Sequence, residues 1–149
     1  MPIFQLPPST VPISPANPGS GSILGTDISC FPDLLFVQVS GFLNLANAIL
    51  RRWQTPRGGL FSDPNYGTDL RDWVNASSTP TNLYQLASAA EAEAEKDPRV
   101  TSCVASAVYN ANEVGFDVTA QIVTGAGPFT LVAQCTQIGI QLLSIQAGT

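Results

Sequence analysis

The pattern of hydrophobic and polar positions indicates helices in the first two thirds of the chain. Apolar residues recur at spacings of three and four between Phe42 and Trp53, which predicts an amphipathic helix. This helix starts at Asp33, or at Gly41 if the preceding segment is extended, and it ends at Trp53 before a loop rich in proline and glycine. A further short helix is predicted over residues 68–74.

A second long helix is predicted from Thr81 to Lys96, where the helix-favouring residues alanine and glutamate dominate. Pro98 follows its end, and a residue that precedes proline avoids helical backbone. Glu91, Glu93 and Glu95 are two residues apart, so they do not share one face of the helix. We predict that they are solubilising surface charges.

The period changes to two after Val100. Hydrophobic and polar side chains alternate over residues 100–109, 116–122 and 129–136, which predicts an antiparallel meander of three strands. The uncharged segment from Ile138 to Ile145 either adds a fourth strand to this sheet or pairs with a partner molecule. The predicted fold class is α+β, with helices packed on one face of a sheet of three or four strands.

Residues 1–30 have a different composition, because proline recurs there and no charged side chain precedes Asp27. Proline fixes φ and removes a backbone donor, so neither a helix nor a central strand is expected. The segment is either a disordered tail or an extended arm that becomes ordered against a neighbouring molecule. We divide the chain into this arm, a domain over residues 31–136 and a β-like tail over residues 137–149.

Composition excludes several classes of function. The net charge is −5 with six basic residues, which argues against nucleic-acid binding. The sequence shows neither an apolar run long enough to span a membrane nor a secretory signal, so we expect a soluble protein assembled in the cytoplasm. Cys30, Cys103 and Cys135 fit neither a disulfide framework nor a zinc motif, and we predict small buried thiols.

Candidate catalytic chemistry is sparse. The chain contains no histidine, the commonest general base and metal ligand. Paired carboxylates could serve a glycosidase, and the available acids are Asp63, Asp69, Asp72 and Asp97. Turns and helix caps account for these acids more simply. We therefore predict a protein without catalytic residues, cofactor or metal.

Three segments, taken in order, carry a resemblance to a known family. They are Asn44-Leu45-Ala46-Asn47-Ala48-Ile49-Leu50-Arg51-Arg52-Trp53-Gln54-Thr55-Pro56-Arg57-Gly58-Gly59, then Asp63-Pro64-Asn65-Tyr66-Gly67-Thr68-Asp69-Leu70, then Asp97-Pro98-Arg99-Val100. Together they resemble the baseplate wedge family of contractile phage tails. That family includes the sheath initiator once described as a lysozyme and the related baseplate subunit of type VI secretion. The resemblance covers roughly residues 25 to 136.

The resemblance implies a structural role in the tail baseplate of a virion, where copies form a ring at the base of the sheath. The family's Glu-Pro-Arg signature, which docks the subunit on the helical core bundle of the wedge, reads Asp97-Pro98-Arg99 here, with the acid one methylene shorter. Arg99 could instead form an internal salt bridge with Asp69 or Asp97. The implied structural motif loops comprise Thr55, Pro56, Arg57, Gly58, Pro64, Tyr66 and Gly67.

The resemblance also implies strand exchange with the first ring of the tail sheath, which suits the uncharged C-terminal third of the chain. The residues that we assign to this pairing are Phe129, Leu131, Ala133, Ile138, Ile140 and Leu142. The implied partners are wedge core-bundle proteins, sheath protein and neighbouring copies, with the tail tube as a further possibility. Neither nucleic acid nor membrane is expected. A peptidoglycan hydrolase and a small regulatory adaptor remain the alternative functions.

Overall fold

The computed structural model describes residues 21–28, 38–74 and 78–148. In these residues the chain has the predicted α+β fold. One helical turn and two short strands precede the first long helix. These elements are α1 (Gly21–Leu24), β1 (Thr26–Ile28), β2 (Gln38–Ser40) and α2 (Gly41–Gln54), and β1 pairs antiparallel with β2.

The helix α2 begins at Gly41 because residues 38–40 are extended. This confirms the later of the two predicted starts, and residues 33–37 lie outside the described part of the chain. The predicted helix over residues 68–74 is a single 3₁₀ turn, Leu70–Trp73, and the Asp69 carboxylate caps it by accepting from the Arg71 backbone amide.

The second long helix is α3 (Pro80–Ala94), with proline in its first turn. The hydroxyl of Thr79 accepts a hydrogen bond from the Asn82 amide, which caps the beginning of the helix. The helix ends two residues earlier than predicted.

A four-stranded antiparallel meander forms the C-terminal half of the fold. Its strands pair in chain order, which confirms the predicted topology. The C-terminal tail forms a fourth strand that pairs with β5 of its own sheet. Of the two predicted arrangements, a fourth strand and pairing with a partner, the first is observed. The strands are β3 (Val100–Asn110), β4 (Gly115–Thr124), β5 (Gly127–Cys135) and β6 (Ile140–Ala147).

The core lies between the helices and one face of the sheet. Trp53 of α2 and Leu86 of α3 are completely buried there, and the indole N–H of Trp53 donates to the Ala90 carbonyl oxygen at 3.1 Å. The other face of the sheet is open, and Val104 and Val108 of β3 are exposed on it. The buried positions of β4 and β5 alternate as predicted: Phe116, Val118, Ala120, Ile122, Phe129, Leu131, Ala133 and Cys135.

The folded part of the chain begins before the predicted boundary at residue 31. Leu24 is fully buried in the core, and its carbonyl oxygen accepts a hydrogen bond from the side-chain amide of Asn44 at 3.0 Å. Residues 21–28 therefore belong to the domain. The predicted arm also comprises residues 1–20 and 29–30, including Cys30, and these lie outside the described residues. Within the described part of the chain, no helix is long and apolar enough to cross a membrane.

Candidate functional site

Glu93 is a buried anion on which three cations converge. Only 1% of its surface is exposed, whereas Glu91 is half-buried and Glu95 is exposed. Its carboxylate accepts hydrogen bonds from Arg52 at 3.2 Å, from Arg57 at 3.3 Å and from Lys96 at 2.7 Å. The prediction that Glu93 is a solubilising charge is wrong: it joins α2, the following loop and α3.

The same carboxylate organises the predicted motif loops. It accepts a hydrogen bond from the Gly67 amide at 2.8 Å, so Arg57 of the first motif and Gly67 of the second meet at Glu93. Gly67 has φ +90°, and a Cβ there would overlap the Thr55 carbonyl oxygen, so only glycine fits.

Further contacts hold these loops together. The Gly58 amide donates to the Pro64 carbonyl oxygen at 3.0 Å, which closes the loop between the two motifs. The Arg52 guanidinium lies 4.4 Å from the centre of the Tyr66 ring, a distance that suits a cation–π contact. The structure thus brings the two motif segments together around one residue that neither of them contains.

The Asp97-Pro98-Arg99 motif forms an internal corner between α3 and β3. The Arg99 guanidinium donates to both oxygens of Asp97, at 2.8 and 2.7 Å, and to the Leu24 carbonyl oxygen at 2.9 Å. Burial would raise the pKa of Asp97, but the hydrogen bonds from Arg99 outweigh burial and lower it. The internal ion pair foreseen as one alternative is therefore present, with Asp97 rather than Asp69.

Asp69 and Asp63, two further candidate acids, have structural contacts. Asp69 pairs with Arg71, whose hydrogen bonds lower the pKa of the Asp69 carboxyl, and it caps the 3₁₀ turn. Asp63 accepts from the Asn65 amide within the loop, at 3.0 Å. An open cleft of about 270 Å³ lies at one end of the sheet, but Glu113 is the acid that lines it, and none of the four candidate acids does.

The residues assigned to strand pairing fall into two groups. Phe129, Leu131 and Ala133 lie in the core, and their strand β5 is hydrogen bonded to β4 on one side and β6 on the other. Because β5 has no free edge, we correct the prediction for these three residues: they cannot add a partner strand. Ile140 and Leu142 lie on the edge strand β6, whereas Ile138 is exposed in the turn before it.

The two edges of the sheet differ in how they are covered. At the β3 edge, the Glu91 carboxylate accepts from the Ala105 amide at 2.7 Å, and the Glu95 carboxylate accepts from the Cys103 amide at 3.1 Å. These side chains of α3 occupy backbone donors that an incoming strand would need. Part of the β3 edge is therefore closed by the protein itself.

The β6 edge is covered less. Gln54 donates from its side chain to the Ile140 carbonyl oxygen at 2.8 Å, at the very beginning of the strand. The strand carries no charged residue, and Leu143 at its centre is 51% exposed. Among the described residues, no further strand pairs with β6, which is therefore an uncharged edge of the sheet.

Glu93, Glu91 and Glu95 are the residues that sequence reasoning missed, although a signal for Glu93 exists. Leu86, Ala90 and Glu93 are spaced by four and three residues, so Glu93 falls on the apolar face of α3. A glutamate at such a position must be paired when buried. Glu91 and Glu95 are four residues apart and face β3 together.

Among the described residues, no cluster of three or more histidine, cysteine or acidic side chains could hold a metal. Burial raises the pKa of Cys103 and of Cys135 to about 12, so both thiols stay protonated. No family model matches the chain, and no curated protein sequence matches it significantly.

Proposed function

We propose that this chain is a structural subunit of a contractile tail baseplate in a phage or phage-like particle. In this role it docks on the wedge core bundle and starts sheath assembly by accepting a strand from the first sheath ring. Two independent features support the proposal. The motif segments resemble those of the wedge family in order and spacing, and the fold places an uncharged strand at the edge of an antiparallel sheet.

The observation that carries the proposal is the asymmetry of the two sheet edges. The carboxylates of Glu91 and Glu95 occupy two backbone amides of β3, whereas the Gln54 side chain reaches the β6 backbone at its first residue. Pairing through main-chain hydrogen bonds needs an unoccupied edge and does not need charge. We therefore assign strand exchange to β6, with Ile140 and Leu142 on the pairing strand.

The buried ion pairs have a supporting role in this proposal. Glu93 and Asp97 lie at the end of α3 next to β3, and their cations come from α2, from the motif loop and from the helix-to-strand corner. An assembly that transmits force through β6 needs the sheet to be fixed to its helices. The proposed function is non-enzymatic; among the candidate acids, Asp97 braces the helix-to-strand corner and Asp69 caps the 3₁₀ turn.

Introducing a charge at the β6 edge tests this function. Lysine on an edge strand opposes pairing with another strand, so Leu143→Lys should block sheath assembly. The matched control is Val108→Lys, which places the same charge at an exposed position of β3, where the wild-type side chain is 64% exposed. Both variants should melt within a few degrees of wild type, because both positions are exposed.

The readout is the polymerisation of purified sheath protein on purified wedge complexes, followed by negative-stain electron microscopy. We expect polymerisation with wild type and Val108→Lys and at least a tenfold reduction with Leu143→Lys. Equal polymerisation with all three proteins would remove the proposed role of β6. Cleavage of peptidoglycan by the wild-type protein, lost on substituting Asp69, would favour a hydrolase instead.

A further inference from the structure

The loop between the two motifs presents a phenylalanine entirely to solvent. Phe61 is fully exposed, and Leu60 beside it is partly exposed. Single exposed apolar residues are common on protein surfaces. Phe61 differs from them because it stands at the tip of a loop whose backbone is fixed on both sides. We call residues 57–65 the Phe61 loop.

Backbone hydrogen bonds fix the conformation of the Phe61 loop. The Gly58 amide donates to the Pro64 carbonyl oxygen at 3.0 Å, and the Asp63 amide donates to the Leu60 carbonyl oxygen at 3.2 Å. At its far end, Lys96 donates to the Asn65 carbonyl oxygen at 2.9 Å. A loop that is already ordered loses little backbone freedom on binding, so burial of its apolar side chain contributes to affinity at a lower entropic cost.

The base of the loop also offers a charged group. Arg57 is tied to Glu93 by a single hydrogen bond of 3.3 Å, and its side chain is 55% exposed. Most donors of its guanidinium therefore face away from Glu93. Arginine and aromatic residues are the types that most often dominate protein interfaces. A fixed aromatic residue next to an available guanidinium therefore fits a particular kind of partner surface.

We propose that the Phe61 loop is a docking contact for a protein that has an apolar pocket for Phe61 and a carboxylate on its rim for Arg57. The identification of that protein with the wedge core bundle rests on the proposed function. Charge favours a protein over a membrane. The net charge of −5 opposes binding to an anionic membrane surface. Stable membrane anchoring also takes two membrane-binding groups, and one aromatic residue with a few cations does not supply them.

The test compares Phe61→Ser with Tyr84→Ser, which removes another well-exposed aromatic side chain, on helix α3. Binding of each full-length variant to purified wedge core-bundle proteins is measured by biolayer interferometry. We expect Phe61→Ser to weaken binding about thirtyfold, as for a residue at the centre of an interface, and Tyr84→Ser to leave it within twofold of wild type. Arg57→Lys keeps the pairing with Glu93 but loses the planar fork, and we expect about tenfold weaker binding.

The other outcomes are distinct. Unchanged binding of Phe61→Ser to the wedge proteins would overturn the docking role of the loop while leaving the proposed function intact. Binding of neither wedge nor sheath protein by the wild type would overturn the proposed function itself. Cosedimentation with vesicles of phosphatidylcholine and phosphatidylglycerol, or self-association in sedimentation velocity, would contradict the inference if Phe61→Ser abolished it. Those results would make the occupant a membrane or a second copy.

Discussion

The carboxylate of Glu93 accepts a hydrogen bond from the Gly67 amide at 2.8 Å, and the two residues lie 26 positions apart in the chain. Through this contact, the end of α3 fixes the loop that follows α2. The same carboxylate holds Arg52, Arg57 and Lys96. A buried carboxylate is stable only when its charge is compensated, and here three cations and one amide do so.

The first prediction concerns the charge of Glu93. Glu93→Gln keeps an oxygen that can accept from Gly67 but removes the negative charge that attracts the three cations. We expect a loss of about 2–3 kcal/mol in the free energy of unfolding, measured by urea denaturation, as for hydrogen bonds to charged groups. Glu113→Gln, at an exposed turn position, is the control and should change stability by less than about 0.5 kcal/mol. Equal stability of both variants would show that Glu93 does not organise the loop.

The second prediction concerns the helix-to-strand corner. Arg99→Ala removes both hydrogen bonds to the nearly buried Asp97 and the one to the Leu24 carbonyl oxygen. We expect a destabilisation of roughly 3 kcal/mol, because an uncompensated charge stays buried. Adding Asp97→Asn to Arg99→Ala should recover part of this loss, since it removes that charge. A double variant that is less stable than Arg99→Ala would contradict this explanation.

The third prediction is acid sensitivity. The pKa values of Asp97 and Asp69 lie below the ordinary value of 3.8 in the folded protein. The unfolded chain therefore binds more protons in this range, and stability falls as the pH is lowered. We expect stability to be constant above about pH 5 and to decline as the pH falls through and below about 4. Urea denaturation at several pH values measures this, and the decline should be shallower in Arg99→Gln. An increase in stability on acidification would contradict the assignment.

The fourth prediction concerns the closed edge of the sheet. Replacing Glu91 and Glu95 together by alanine frees the Ala105 and Cys103 amides. Because the freed β3 edge adds a second uncovered edge strand to the one at β6, we expect the double variant to self-associate at lower concentrations than wild type. Sedimentation velocity measures the change, and Glu113→Ala is the control for lost charge. A double variant with the same oligomeric state as wild type would show that the two carboxylates do not protect this edge.

Hydrophobic periodicity was sufficient to predict the main elements. Alternation after Val100 predicts the meander, and the spacing between Phe42 and Trp53 predicts α2, for which Gly41 was one of two predicted starts. The position of the tail could not be predicted, because an uncharged apolar strand fits the edge of its own sheet and that of a partner equally well. The pairing of β6 with β5 settles this within the chain.

The site was predicted in part. Arg57, Gly67 and Arg99 were singled out because their segments resemble the wedge family, and the docking role of Arg99 stays a prediction. Their common partner Glu93 could not be identified in this way, since the contact depends on how α3 packs against α2. The apolar face of α3 held a clue, because Glu93 continues the spacing of Leu86 and Ala90. Likewise, Phe129 and Leu131 were wrongly assigned to partner pairing. The position of a strand within its sheet is a tertiary property, which the pattern along the chain does not reveal.

The central claim is that β6 accepts a strand from a sheath subunit at the base of a contractile tail. A cryo-EM reconstruction of the intact tail particle whose genes lie beside the gene for this chain tests it most directly. We expect this domain in a ring beneath the first sheath ring, with a strand of sheath protein hydrogen bonded beside β6 and the β3 edge still closed by Glu91 and Glu95. A ring in which no strand pairs with β6, or a particle that lacks this domain, would contradict the claim.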